Sequence, residues 1–211
     1  MSQSFARIAF TPLVKEQQTI HDSRRQYERV EQFGAAGDHL TDAELAFIAE
    51  RDSFYMASVS ETGWPYIQHR GGAPGFLHVL DGHRLAFADY RGNKQYISVG
   101  NLLHDNRVAL FLMDYPSQTR LKILGHAFIH EGNEAKELIE KISTPQEQAV
   151  VERVIEIQVE AFDWNCQQYI TPRYTEDQVV RLLAPTRRRV ADLEQENTRL
   201  RAKLEACVAK K

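Results

Sequence analysis

Between Phe54 and Phe162 the chain is a succession of short apolar runs cut by tight turns, and this pattern constrains the fold more than any other feature. Phe54 to Ser60, the turn Glu61-Thr62-Gly63, and Trp64 to Arg70 read as a hairpin. Phe76 to Leu80, the turn Asp81-Gly82, and Arg84 to Ala88 read as a second, with Asp-Gly as a type I′ signal. Arg107 to Met113 and Arg120 to His130 flank Tyr115-Pro116-Ser117 and form a third. In Val154 to Phe162, Ile155, Ile157, Val159 and Ala161 alternate with Glu156, Gln158 and Glu160. Seven strands joined by tight turns point to an antiparallel barrel or sandwich, because parallel strands need long crossovers.

Helical spacing appears around and between these runs. Pro12 to Phe33 reads as one polar helix with a narrow stripe of Leu13, Ile20 and Tyr27, broken by Gly34 to Asp38. Thr41 followed by Glu44 is a capping box that opens a short helix through Leu45, Phe47 and Ile48. A helix capped by Asn93 carries Tyr96, Val99, Gly100 and Leu103 on one face, and another runs from Asn133 to Ile142. After Pro185 the spacing changes again. Val190, Leu193, Asn197, Leu200, Leu204 and Cys207 fall on an a/d seam, with Arg189 and Glu196 at g and Glu194 and Arg201 at e. Such a helix either pairs with a second copy or packs on its own barrel. Residues 1–184 are thus expected to form the barrel domain with its N-terminal helices, and 185–211 the heptad helix.

Composition narrows the partners. A net charge of −3, from 26 Lys+Arg against 29 Asp+Glu, supplies no field for nucleic acid or an anionic membrane. Any anionic ligand must be held by a local cluster. No apolar run reaches the roughly 20 residues of a membrane span, and the first thirty positions lack a signal-peptide core, so the chain is read as cytoplasmic. The two cysteines, Cys166 and Cys207, have no CxxC neighbour and suggest no disulfide. His126 and His130 share a strand face but stand about 13 Å apart at roughly 3.3 Å per residue, so no metal site is expected. Arg70 to Gly75 lacks the Gly-Lys-Ser/Thr ending of a P-loop, and no GxGxxG is present.

Two segments suit an anion. Arg70 ends a strand and is followed by Gly71-Gly72, which allow close backbone approach, and Lys94 is expected in the first turn of the Asn93-capped helix.

The stretches GWPYIQHRGGAPGFL (Gly63 to Leu77), FADYRGNKQYISVGNL (Phe87 to Leu102), LFLMDYPSQTRLKILGHA (Leu110 to Ala127) and FDWNCQQYITPRYT (Phe162 to Thr175) resemble the FMN-binding pyridoxamine 5'-phosphate oxidase-related family. The resemblance covers Thr11 to Val180. It implies a mainly β fold, an antiparallel FMN-binding split barrel, in a homodimer with the cofactor at the interface. It places Gln68, His69 and Arg70, with Gly71 beside them, along the ribityl chain and ring edge, and Asn93, Lys94 and Gln95 at the phosphate. Arg120 or Lys122 comes near the flavin, and Trp164, Asn165, Gln168 and Arg173 reach the flavin of the other subunit.

This sequence departs from the family twice. Asn93-Lys94 stands where the oxidases proper carry Arg-Lys, leaving Arg70 or Arg91 to supply the second cation. The tail from Pro185 lacks the Arg-x-His element that grips the substrate phosphate, so pyridoxamine phosphate is not the expected substrate. The implied function is an FMN-dependent oxidoreductase acting on an unidentified small molecule, with a diffusible NAD(P)H as donor and no catalytic side chain assigned. The alternatives are a flavin-binding sensor or storage protein without turnover, and a dimeric interaction module.

Overall fold

The computed structural model describes residues 1–143, 151–164 and 168–209. The chain divides into two compact units, Met1–Ile170 and Thr171–Lys211. The first holds helices α1 (Gln3–Ala9), α2 (Pro12–Ile20), α3 (Arg24–Phe33) and α4 (Asp42–Ala49), then strands β1 (Ser53–Val59), β2 (Pro65–Gly71), β3 (His78–Asp81) and β4 (Arg84–Tyr90). Helix α5 (Ile97–His104), β5 (Arg107–Asp114), β6 (Thr119–His130), α6 (Gly132–Ile142) and β7 (Val151–Trp164) complete it. The second unit is built on one helix, α7 (Glu176–Val208).

All seven strands stand where alternation and turns put them. They form one antiparallel sheet in the order β2-β1-β5-β6-β7-β4-β3. The barrel is not closed by hydrogen bonds, because β2 and β3 are the two edges. The sheet is nevertheless curled. Strands β1 and β4 are four places apart, which in a flat sheet is about 19 Å at roughly 4.8 Å per strand. Yet the rings of Phe54 and Phe87 meet with centroids 5.4 Å apart. One core fills the curl, with Phe54, Met56, Leu85, Phe87, Leu110, Leu112, Leu121, Ile123, Ile155 and Ile157 all buried. A bulge that leaves Glu160 of β7 unpaired opposite Leu124 and Gly125 bends β7 against β6, and a Cβ on Gly125 would lie 2.3 Å from the Gln158 carbonyl oxygen.

Helix α6 covers the other face of β4 and β7 through Ala135 and Ile142 against Ala86 and Val154. The expected capping box opens α4, and α5 is fixed to β1 by a buried hydrogen bond from the Asn101 amide to Ser58 Oγ, 3.0 Å.

Four local expectations are corrected. The helix foreseen over Pro12 to Phe33 is two helices, because the chain turns at Asp22 (φ 58°). Helix α1 was not foreseen; Ser2 caps it and bonds the Phe162 carbonyl at 2.5 Å, a tertiary contact invisible to local spacing. The Asp81-Gly82 turn is not type I′, since neither Gly82 nor His83 has a positive φ. Asp81 instead accepts from the His83 amide (2.9 Å) and Arg84 Nε (2.7 Å), and the exposed His39 ring lies against Gly82. The fourth, the helix start at Asn93, bears on the site below.

In the second unit, Thr175 and Gln178 form a capping box, so α7 begins upstream of Pro185 and runs through it. None of the residues of α7 is buried. Among the described residues no helix is long and apolar enough to cross a membrane.

Candidate functional site

Period-two alternation puts Tyr66, Gln68 and Arg70 on the face of β2 that continues the barrel interior, opposite Ser58, Met56 and Phe54 of β1. Curling brings this polar row to the end of β4. There the Arg70 guanidinium meets Asp89 at 2.9 Å. The loop from Gly92 to Tyr96 and the start of α5 close the remaining sides of a cavity of about 250 Å³. Gln68, Arg70, Asn93, Lys94 and Gln95, expected from the sequence at separate points of the chain, all line it.

The loop is not the helix start that was expected. Helix α5 begins at Ile97 with Tyr96 as its N-cap, so Asn93 does not cap it and Lys94 is not in its first turn. The physical reason is local: the Asn93 side-chain oxygen accepts the Gln95 amide at 3.2 Å, an Asx turn that competes with helix. Lys94 (φ 60°) and Tyr96 (φ 52°) are both left-handed, at a cost of roughly 1–2 kcal/mol each for residues with a Cβ. Strain of this kind collects where a ligand is clamped.

Charges around the cavity are mostly paired. Asp89 lies between Arg70 and Arg153, the latter at 3.8 Å. Burial pushes the Asp89 carboxyl above its ordinary value, and the charges of Arg70 and Arg153 only partly offset this. Arg91 and Arg153 both reach Glu152, at 3.3 and 3.0 Å. Among the described residues the buried Nε of Arg70 has no hydrogen-bond partner, as is also true of Arg153 Nε, and Lys94 has no acidic partner. Arg70, held by Asp89, and Lys94 thus bring two cationic side chains to the lining of one cavity, which suits an anionic group such as a phosphate monoester. Gln68, Tyr66 and Gln95 add amide and hydroxyl groups for a polar chain beside it.

The other expected residues do not line this cavity. His69 is on the opposite face of β2, its ring 5.6 Å from Tyr55. Gly71 ends β2, and the glycine that close packing demands is Gly72, where a Cβ would lie 2.7 Å from the Phe76 side chain. The close approach there is to Phe76. Arg120 and Lys122 share the outer face of β6, Arg120 over the Phe111 ring (5.5 Å), Lys122 over Phe5 (4.7 Å) and paired with Asp163 (2.9 Å). That face carries an apolar groove of about 640 Å³ with Tyr55, Ile67, Phe111, Met113 and Leu124. Trp164 donates to Glu44 (2.6 Å) and packs edge-on against Phe47 (4.8 Å), anchoring the base of the barrel. Burial alone would raise the Glu44 carboxyl, but hydrogen bonds from Thr41 and Trp164 together hold it below its ordinary value. Gln168 is exposed beyond β7, Arg173 is exposed in the second unit, and Asn165 lies outside the described residues.

Sequence reasoning missed Tyr66, Asp89, Tyr96 and Glu152, which also line the cavity. Tyr66 was within reach, as it alternates with Gln68 and Arg70. The others depend on the β4–β7 pairing and the curl. His126 and His130 are used locally, by Asn106 (2.9 Å) and Glu156 (3.3 Å), and no cluster of three metal-ligating side chains occurs among the described residues.

Residues 40–165, more than half of the chain, match the family model described as pyridoxamine 5'-phosphate oxidase. No curated protein sequence matches the chain. Among solved structures, a provisionally assigned pyridoxamine 5'-phosphate oxidase of Lactobacillus delbrueckii is 24% identical, with 60% of this chain and 94% of that one covered at a TM-score of 0.47. HupZ of Group A Streptococcus is 15% identical over 64% of this chain and 100% of that chain, TM-score 0.46. A Clostridium acetobutylicum protein related to general stress protein 26 is 12% identical over 64% and 92%, TM-score 0.46.

Proposed function

Because this chain belongs to the pyridoxamine 5'-phosphate oxidase family, we propose that it is an FMN-binding flavoprotein, working as a homodimeric oxidoreductase on a small molecule. The observation that carries the reading is the convergence of Arg70 and of Lys94, which has no acidic partner among the described residues, on one cavity lined by Gln68, Asn93 and Gln95.

In this reading Arg70 and Lys94 bind the phosphate of FMN, and Asn93 and Gln95 line the phosphate and ribityl region. Asp89 positions Arg70: the 2.9 Å pair fixes the guanidinium at the cavity. Tyr66 donates to Gln68 (2.5 Å), which orients that amide toward the ring edge. When bound, the flavin supplies hydride exchange with the substrate, and a diffusible nicotinamide is the electron donor. The protein contributes binding, orientation and exclusion of water, so no side-chain nucleophile or general acid is required.

Homodimerisation completes the site in this proposal. The apolar groove on the outer face of β1, β2, β5 and β6 is the contact, which turns His69, Arg120 and Lys122 toward the partner. Trp164, Asn165, Gln168 and Arg173 are assigned to the cofactor by the family resemblance alone.

The test is the absorption spectrum of the purified protein, with released flavin identified as FMN or riboflavin. Paired flavin bands and released FMN are expected. Protein that stays colourless after incubation with FMN overturns the proposal. Oxidation of NADH or NADPH by the loaded protein then distinguishes an oxidoreductase from a flavin-binding module without turnover.

A further inference from the structure

We infer that helix α7 pairs in parallel with the same helix of a second copy of this chain, through the seam from Val190 to Cys207. The seam is uncovered: Val190, Leu193, Leu200 and Leu204 are 48%, 47%, 53% and 66% exposed. Large apolar residues repeating at alternating spacings of three and four are not a solvated face. They are half of a coiled coil.

Charge says what covers it. In a parallel pair the g residue of one helix meets the e residue of the next heptad in the other. Arg189 then faces Glu194, and Glu196 faces Arg201, each opposite in sign and each made twice by the symmetry. The antiparallel register that sets Val190 opposite Cys207 also pairs Glu194 with Arg201, so charge alone does not decide direction. Asn197 does. In the parallel pair it meets its own copy and the two amides bond each other. In the antiparallel pair each Asn197 faces Leu200 of the other helix, and both amides are buried without an amide partner opposite.

The seam is only about 26 Å long at 1.5 Å per residue, too short to be strong alone. It does not need to be. Two tails tethered to one dimer meet at an effective concentration near the millimolar range. To that extent the inference rests on the homodimer proposed above, and it goes beyond it by naming a second interface and its direction. A parallel pair has the same two-fold symmetry as that dimer, so both contacts can form in one assembly.

The experiment uses the full-length chain with Cys166→Ser and Val190→Cys, retaining Cys207. The two thiols of one helix are too far apart to join within a chain. Mild oxidation, tryptic cleavage at the arginines between them and mass spectrometry identify each link. Links of 207 to 207 and 190 to 190 are expected, and adding Leu200→Glu should slow both about tenfold or more by setting like charges face to face. Links of 190 to 207 overturn the parallel direction. Absence of links in protein that light scattering shows to be dimeric overturns the pairing and leaves the barrel dimer standing. A monomer overturns both, and the flavin bands of the same sample report separately on the cofactor. Should Val190→Cys fail to fold, Cys207 alone in Cys166→Ser protein separates the same two cases: linked to its own copy if the helices are parallel, unlinked if they are not.

Discussion

Removing the two cations that line the cavity, Arg70 and Lys94, should abolish recognition of phosphate while leaving recognition of the ring. The informative variant is Arg70→Ala with Lys94→Asn. Asparagine is chosen at 94 because that residue is left-handed (φ 60°), a conformation asparagine tolerates better than alanine, so the loop is kept while the charge is lost. Each charge-assisted hydrogen bond to phosphate contributes about 1.5–3 kcal/mol, so the pair contributes about 3–6 kcal/mol, roughly a hundredfold to ten-thousandfold in FMN affinity. Riboflavin has no phosphate, and its affinity should move by no more than about threefold. One complication can be separated. Without Arg70, Asp89 keeps only Arg153, at 3.8 Å, and its carboxyl, already raised by burial, rises further. A charged Asp89 would then repel phosphate by itself. Adding Asp89→Asn removes that repulsion, and most of the FMN loss should persist. Fluorescence titration of both flavins against the wild type and the variants is the assay. Equal losses for FMN and riboflavin would refute the phosphate assignment, and full recovery by Asp89→Asn would show that the cations act only by neutralising Asp89.

Trp164→Phe removes the donor to Glu44 and should cost about 1–3 kcal/mol, a fall of several degrees in Tm, with flavin affinity as the readout that separates an anchoring role from a cofactor contact. Glu44 is held below its ordinary value of 4.5 in the folded chain, so its contribution is fully present above that pH and is lost as pH falls through the folded value. The stability gap between wild type and Glu44→Gln, followed by urea denaturation, should therefore be full at pH 7 and close on acidification below about 4.5. Gly125→Ala sets a methyl 2.3 Å from the Gln158 carbonyl oxygen at the β6–β7 bulge and should cost more than about 3 kcal/mol, or prevent soluble expression; unchanged Tm would show that the bulge relaxes. Truncation after Ala184 removes the heptad seam and should leave a dimer by light scattering with flavin bound, whereas a clean monomer would mean that the seam holds the assembly.

The local code of this chain is legible because period and turn chemistry are properties of neighbours. Alternation in runs such as Val154 to Phe162 marks strands whatever the topology, and the Thr41 and Glu44 capping box needs only one turn of helix. The residue types that suit a phosphate were likewise visible in Arg70 and Lys94. Their meeting was not. It depends on a sheet in which β2 and β4 are five places apart in hydrogen-bonding order and touch only because the sheet curls. Packing and local hydrogen bonds also overrode simpler signals: Gly72 answers to Phe76 where sequence suggested a ligand, and Asp81 bonds to His83 and Arg84 where it suggested a type I′ turn. At Asn93 the outcome was a competition between two local hydrogen bonds, a helix cap and an Asx turn, which the same side chain can make equally well. Asp89 and Glu152 carry no sequence signature, since a carboxylate at a strand end looks the same in solvent as against a buried guanidinium. Sequence alone thus determined the strands, the helical tail and the chemistry available. The three-dimensional structure decided which charges are neutralised and which remain for a ligand, because that depends on distances set by curling and burial, to which local spacing is blind.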